Sequence, residues 1–491
     1  MVATYGAHIE AIERCLGAPA GALYRADRCT SAARSRRRDK TKPTTPWGRN
    51  AMKVDFANKT VGGFNYEFVR GLSLQAAGAA EYGECMDTIS RVKNNSFASW
   101  IRQWAATADR VAAFAESEHR IGNHISARDA FLRAANYYRM AVFYAHHTEA
   151  RHTRLWRRSK DCFHQMIALN DTTIECVEID FENARLPAYF VSGGDGPRPT
   201  LIALGGFDST MEELYCWIGA VAPAHGWNCL MFEGPGQWGA LKTNPGLTFR
   251  PDYEKPVGAV VDYLLTRGDV DPAKLAIIGY SMGGYLATRA ALDPRIAACI
   301  PNSLVVDCGA AARAGMKGLL EKTTFVEAAF KLLMKVNTPA RWGYRHSEWT
   351  LGIDSAHEWV EVYQSYTVKD FTDRYHNPML FLFSEDDIHD AAAPSPDIII
   401  GMLDFMLSLN CDRYIRLFTR TEGASSHCQM GGLSYAQAAI FNWLNHILDG
   451  GPAPAPADPA GADLFIRQFA KYAKAEGETK AKALLEVAQL I

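Results

Sequence analysis

At 491 residues the chain is too long for one minimal domain and can bury a large core, so two domains with appendages are expected. A formal net charge of -2 gives no electrostatic basis for binding nucleic acid or an anionic membrane, and points to an uncharged or mixed-charge small molecule as substrate. No apolar run reaches spanning length, no secretory signal opens the chain, and the 11 cysteines lack C-x-x-C or zinc spacing; a cytoplasmic protein without a disulfide framework or metal site is expected.

Residues 1–51 contain the basic run Arg34-Ser35-Arg36-Arg37-Arg38-Asp39-Lys40 followed by Pro43 and Pro46, and are expected to be a disordered extension. The basic run reads as a solvated tail rather than a nuclear address, and Met52 offers a second start. From 64 to about 170 apolar and aromatic residues recur three and four apart, which predicts helices and a helical N-terminal domain over 52–171. One stripe carries Trp100, Ile101, Trp104, Ala105 and Val111, read as core. Gly122-Asn123-His124-Ile125-Ser126 breaks the pattern, and Ser126 with Asp129 reads as an acidic capping box opening a helix from Ala127 to about His147.

Near Thr172 the period changes to two. Residues 173–179 and 186–191 read as antiparallel strands, with a turn at Gly193-Gly194-Asp195-Gly196-Pro197. The continuous apolar runs Thr200-Leu201-Ile202-Ala203-Leu204 and Asn228-Cys229-Leu230-Met231-Phe232 predict central parallel strands covered on both faces, hence a doubly wound α/β sheet over 172–449. Next comes Leu275-Ala276-Ile277-Ile278-Gly279-Tyr280-Ser281-Met282-Gly283-Gly284-Tyr285, a strand ending in G-x-S-x-G and running into a helix former. That is the pattern of a nucleophile elbow, in which a tight strand-to-helix turn exposes a serine beside a base.

A strand over 297–303 leads to Asp307. A helical stretch, 308–371, then intervenes before strand character returns at Met379-Leu380-Phe381-Leu382-Phe383, and an insertion of that size is expected to form a lid. Arg413-Tyr414-Ile415-Arg416-Leu417-Phe418 is the last expected strand and 435–448 the last sheet helix. A Pro/Ala linker over 450–462 precedes an amphipathic tail helix over 463–491, docked on its own chain or on a second subunit, which makes a homodimer a candidate assembly.

A serine nucleophile needs a base and the base an orienting acid, here in the chain order Ser, Asp, His, each after a strand. Asp387 in Ser384-Glu385-Asp386-Asp387 is the preferred acid, with Asp386 and Asp307 as alternatives. His427, between the last strand and the last helix, is the preferred base, with His389 nearby. Backbone amides of Met282, after the nucleophile, and of Phe207, after paired glycines in Leu204-Gly205-Gly206-Phe207-Asp208, are the expected oxyanion donors. Glu233 reads equally as a polar contact or a structural brace.

Gly205-Gly206-Phe207-Asp208 with Glu212-Glu213-Leu214-Tyr215, then Glu233-Gly234-Pro235-Gly236-Gln237, the elbow, and Glu422-Gly423-Ala424 to His427-Cys428-Gln429 together resemble one branch of the α/β-hydrolases. That branch includes the 2,6-dihydroxypseudooxynicotine hydrolases and the fungal polyketide-shortening hydrolases of pigment and fusarin-type clusters. Its N-terminal domain is similar to Ser126-Ala127-Arg128 and Asn136-Tyr137-Tyr138-Arg139, and the likeness covers 64–448. The resemblance implies an α/β-hydrolase fold, a triad of Ser281, Asp387 and His427, a helical domain over the site, and no cofactor. Two features depart from it: residues 1–51 have no counterpart, and Trp238 stands where a small residue is expected, which bears on the pocket's shape.

Members of that branch cleave carbon-carbon bonds beside ketones, cleave esters, or close rings in secondary metabolism. The leading expectation is therefore a serine-dependent hydrolase acting on a ketone or ester in an apolar aromatic or polyketide-like molecule. A cyclase or acyl transferase using the same triad is the rival, and a non-catalytic ligand-binding protein on a hydrolase scaffold the third reading.

Overall fold

The computed structural model of the chain describes residues 62–310, 337–387 and 395–491, together with Val54, Ala312, Arg313 and Met334. The expected disordered extension, much of the expected lid, and His389 lie outside the described residues.

The helical pattern produces α1 (Phe64–Ser73), α2 (Tyr82–Ser90), α3 (Phe97–Arg120), α4 (His124–Val142) and α5 (Ala150–Ala168). Ser96 caps α3 by accepting from the Ser99 amide, satisfying one of the first turn's free donors. The stripe Trp100, Trp104, Ala108, Val111 and Ala115 is buried, and the Trp100 indole donates to the Met140 carbonyl of α4 at 2.7 Å. The Ser126 capping box is not formed. Gly122, at φ +85°, turns the chain so tightly that α4 begins at His124 with Asn123 at its N-cap, leaving Ser126 inside the first turn.

The sheet follows. Its strands are β1 (Ile174–Phe181), β2 (Ala184–Val191), β3 (Arg198–Leu204), β4 (Asn228–Phe232), β5 (Val270–Tyr280), β6 (Ala298–Asn302), β7 (Met379–Ser384), β8 (Arg413–Phe418) and β9 (Gln489–Leu490). Their order in space is β1-β2-β4-β3-β5-β6-β7-β8-β9, with β1, β2 and β4 paired antiparallel and every later pairing parallel. Connections are made by α6 (Met211–Leu214), α7 (Trp238–Thr243), α8 (Glu254–Leu264), α9 (Gly283–Ala290), α10 (Thr338–Thr350), α11 (Ala356–Tyr363), α12 (Pro396–Leu407) and α13 (Leu433–Asp449).

Two cores form because alternate strand residues face opposite sides. Leu201, Ala203 and Ile278 join the aromatic residues of α1, α3, α4 and α13 on one face, and Ile202, Leu204 and Ile277 join α8, α9 and α12 on the other. Each fully buried aliphatic side chain contributes about 1.5–3 kcal/mol. The helical segment thus shares one continuous core with the sheet.

The described part of the insertion closes onto that helical layer. Asn337 and Ser355 cap α10 and α11, and Trp342 of α10 stacks on Phe143 with ring centroids 4.6 Å apart. The tail helix, α14, spans Pro459–Val487, starting earlier than expected and stopping before the chain's end. Residues 489 and 490 instead add β9 in parallel to β8, and α14 lays Phe465 and Phe469 against Phe383 of β7. The tail therefore docks on its own chain and covers the sheet's edge, a reason to keep edge and apolar face from pairing elsewhere. None of the described helices is long and apolar enough to cross a membrane.

Candidate active site

The parallel strands end in line. Leu204 of β3 lies opposite Gly279 of β5, Tyr280 opposite Asn302 of β6, Asn302 opposite Leu382 of β7, and Ser384 opposite Phe418 of β8. Because β3 is flanked by β4 on one side and β5 on the other, the winding reverses there, and the loops leaving β3 and β5 open a crevice.

Ser281 leaves β5 at φ +60°, the left-handed conformation that costs a non-glycine residue about 1–2 kcal/mol. Its amide donates to the Asn302 carbonyl at 2.5 Å, which holds the strained turn. The turn has no room for side chains on either side: a Cβ on Gly279 would lie 1.8 Å from the Gly283 carbonyl oxygen, and one on Gly284 1.7 Å from that of Ser303.

The loops after β7 and β8 bring Asp387 and His427 together, with Nδ1 of the imidazole 2.6 Å from Oδ1 of the carboxylate. Ser303, just past β6, donates its hydroxyl to Oδ2 of Asp387. Burial disfavours the imidazolium, but the Asp387 carboxylate and the neighbouring Cys428 together outweigh it and hold His427 well above the ordinary imidazole range. Ser281, Asp387 and His427 line one cavity, and Ser281 Oγ makes no hydrogen bond among the described residues.

The other two carboxylates do different work. Asp386 accepts from the Ser425 hydroxyl at 2.6 Å and pairs with Arg420, bracing the loop that carries His427. Asp307 accepts from the Ala310 amide at 2.7 Å, as a helix cap does. Gln429 completes the bracing: it exchanges hydrogen bonds with the Asn302 side chain at 2.7 and 3.1 Å and donates to Ser384 at 2.9 Å.

Phe207 and Met282 line the same cavity, and neither amide is hydrogen-bonded among the described residues. They stand close because Gly206 has no side chain: a Cβ there would lie 2.9 Å from both the Met282 nitrogen and Ser281 Cβ. Gln237 donates to the Gly205 carbonyl at 2.8 Å, and His346 of α10 donates from Nε2 to the Phe207 carbonyl at 2.9 Å. Burial lowers the His346 pKa to about 4, so its ring is neutral and its Nε2 carries the proton for this bond.

Sequence reasoning missed a buried ionic cluster beside this loop. Arg70 of α1, 2% exposed, grips Glu213 with two bonds of 2.7 Å and Asp208 with one of 2.9 Å, while Arg139 of α4 lies 3.3 Å from Glu213. Glu67 joins at 3.5 Å, and burial raises its pKa to about 8, so at neutral pH it is protonated and two arginines face two carboxylates. Burial works against the Asp208 charge, but Arg70 holds its pKa below the usual range. Asp208 and Glu213 stand in the quoted motifs; the only sequence signal for Arg70 was an arginine on the buried side of an amphipathic helix.

Glu233 is a brace. Its carboxyl group, which burial holds at a pKa of about 8, accepts from the Gly239 amide in the first turn of α7 at 2.7 Å. Trp238 does not line the cavity; it is buried among His152 of α5, His346 and Trp349, with ring centroids 5.1, 5.6 and 5.5 Å away. Its bulk therefore locks α5 to α10 and leaves the pocket shape to other residues.

The cavity has a volume of about 770 Å³. From Ser281, Asp387 and His427 it extends past Leu304, Phe383 and Met402, with Trp359 and Tyr363 of α11 on its wall. Apolar walls with a few converging polar groups suit a small organic ligand.

The chain belongs to the alpha/beta hydrolase family, whose model matches residues 190–431. Among its relatives, hydrolyase poxO of Penicillium oxalicum is 34% identical over 326 residues, covering 62% of this chain and 77% of the relative. The 20-hydroxy-prefusarin hydrolase FUS2 of Gibberella moniliformis is 30% identical over 406 residues, covering 78% and 96%. Among solved structures, 2,6-dihydroxy-pseudo-oxynicotine hydrolase shares the fold, with a TM-score of 0.59 and 20% identity over 78% of this chain and 98% of that one.

Proposed function

We propose that the protein is a serine hydrolase that cleaves a carbon-carbon bond beside a ketone, or an ester, in an apolar aromatic or polyketide-like molecule. The observation that carries this reading is the meeting of the strained Ser281 turn, the Asp387–His427 pair and two free amides at one apolar cavity. Kinship to two fungal hydrolases, one of them named for 20-hydroxy-prefusarin, supports a hydrolase that acts on a small organic molecule.

In this reading Ser281 Oγ attacks the carbonyl carbon while His427 Nε2 takes its proton, and Asp387 keeps Nδ1–H aimed at itself. The Phe207 and Met282 amides receive the oxygen as it becomes negative. When the tetrahedral intermediate collapses, the bond to the leaving group breaks and its electron pair departs with the leaving carbon or oxygen, which His427 then protonates. Water, deprotonated by His427, releases the acyl group as an acid. For carbon-carbon cleavage the departing pair must be stabilised as an enolate or by a phenol, which favours a β-diketone or an acylated aromatic.

The described residues of the insertion, among them Ser347 of α10 and Trp359 and Tyr363 of α11, would hold such a substrate over the sheet, while the helical layer packs behind the sheet face without lining the cavity. A cytoplasmic location suits the thiols: the described cysteines are unpaired and all but Cys176 are buried.

Ser281→Ala tests the mechanism. The variant is expected to lose reaction with an alkyl fluorophosphonate and turnover of aryl ketones or short esters while keeping its melting temperature. Undiminished turnover would end the serine reading. Product mass decides between hydrolysis, which adds one water, and cyclisation, which adds none.

A further inference from the structure

The helix α1 contributes nothing to the cavity wall, yet one of its faces touches both loops that the proposed chemistry needs. Tyr66 and Arg70 are four apart and so lie on one side of the helix. Tyr66 donates to the His427 carbonyl at 3.4 Å and sets its ring 6.1 Å from the imidazole. Arg70 spans the segment 208–213, holding Asp208 at one end and Glu213 at the other, with the rings of Phe143 and Trp217 5.5 and 5.4 Å from its guanidinium. Asp208 directly follows Phe207.

We propose that Arg70, acting through Asp208, is a positioning residue for the chemical step: it fixes the direction of the Phe207 amide, so the helical layer helps to build the oxyanion site without lining the cavity. The inference rests on the serine reading above.

The peptide that carries this amide is held from several sides. Gln237 donates to the Gly205 and Gly206 carbonyls at 2.8 and 3.4 Å, the Gly206 amide donates to Ser209 Oγ at 3.2 Å, His346 holds the Phe207 carbonyl, and Arg70 holds Asp208 beyond it. All but the last come from the hydrolase domain and its insertion; Arg70 comes from a helix more than a hundred residues upstream. A buried ion pair is a weak means of stabilising a fold, since apolar packing of the same volume often does as well. What a guanidinium adds is direction, because its planar fork accepts only a narrow range of carboxylate orientations. Direction is what an oxyanion donor requires.

The reaction of the full-length protein with an alkyl fluorophosphonate tests this without knowledge of the natural substrate, because the phosphoryl oxygen becomes the oxyanion. Its rate at saturation (kinact), its half-saturation concentration (KI) and the labelled fraction are read separately. Asp208→Asn keeps the shape and leaves Arg70 paired with Glu213, so it is the gentler variant; Arg70→Lys keeps the charge and loses the fork. The expected result is a kinact lower by about 10–100-fold in each folded variant, with KI within about twofold and full labelling of Asp208→Asn, since misplacing a donor costs less than deleting it. A labelled fraction that falls while kinact of the reactive molecules stays at the wild-type value would show a brace for folding only and overturn the proposal. So would a wild-type kinact with full labelling of Asp208→Asn. Ser281→Ala run in parallel keeps the two questions apart: if it still labels, or if the wild type does not, the serine reading itself fails.

Discussion

An imidazole whose Nδ1–H is held by a carboxylate leaves Nε2 free to accept a proton, and His427 is placed in that way by Asp387. Because its pKa is raised, the imidazolium persists above the ordinary value of about 6.5 and cannot take the Ser281 proton there. The acid limb of a kcat/KM profile is therefore expected above pH of about 6.5, with activity lost as pH falls through it. Asp387→Asn should move that limb to lower pH and reduce kcat by about 10⁴-fold, as expected when the tautomer is no longer fixed. An unmoved limb would mean that another group titrates. The contribution of this pair to stability has the opposite slope: it is complete below the unfolded imidazole's pKa and lost as pH rises through the raised one. At this scale Ser281, Asp387 and His427 were legible, since each follows a strand. Ser303 and Arg70 were not, because neither stands in a motif and each meets its partner only across the fold.

The elbow between β5 and α9 is the element in which backbone geometry leaves least choice. Gly284→Ala would drive a Cβ into the Ser303 carbonyl, and since backbone must shift on both sides, a loss of about 3 kcal/mol or more is expected in urea unfolding. Gly83→Ala in α2 is the contrast. Nothing lies within 4 Å of its Cβ position, so the helix should gain about 0.5–1 kcal/mol from the lost flexibility. Equal effects from the two substitutions would mean that the elbow is not tightly packed. The period-two and continuous apolar runs marked the strands correctly because strand burial is written in local alternation. The start of α4 was misread for an equally local reason: Gly122 and Asn123 turn the chain sooner than a capping serine would.

Over the whole molecule, the tail closes what the sheet leaves open. Phe469→Ala removes a ring packed 5.8 Å from that of Phe383 and should cost about 3–5 kcal/mol by chemical denaturation. A change within error would show that the tail is only loosely attached. The amphipathic pattern of 464–491 announced a face to be buried but not its partner, and the final strand β9 carries no pattern of its own. The sequence by itself determined the doubly wound sheet, the tight glycine-flanked turn at Ser281, and the placing of Ser281, Asp387 and His427 in loops that follow strands, because periodicity, glycine placement and strand-to-loop spacing are properties of neighbours along the chain. Only the tertiary structure decided that Asp387 rather than Asp386 or Asp307 meets His427, that Trp238 fills a helix interface, and that Arg70 reaches the loop after β3. Those choices depend on register between strands and on how buried charges find partners, and such pairings join residues that sequence distance does not relate.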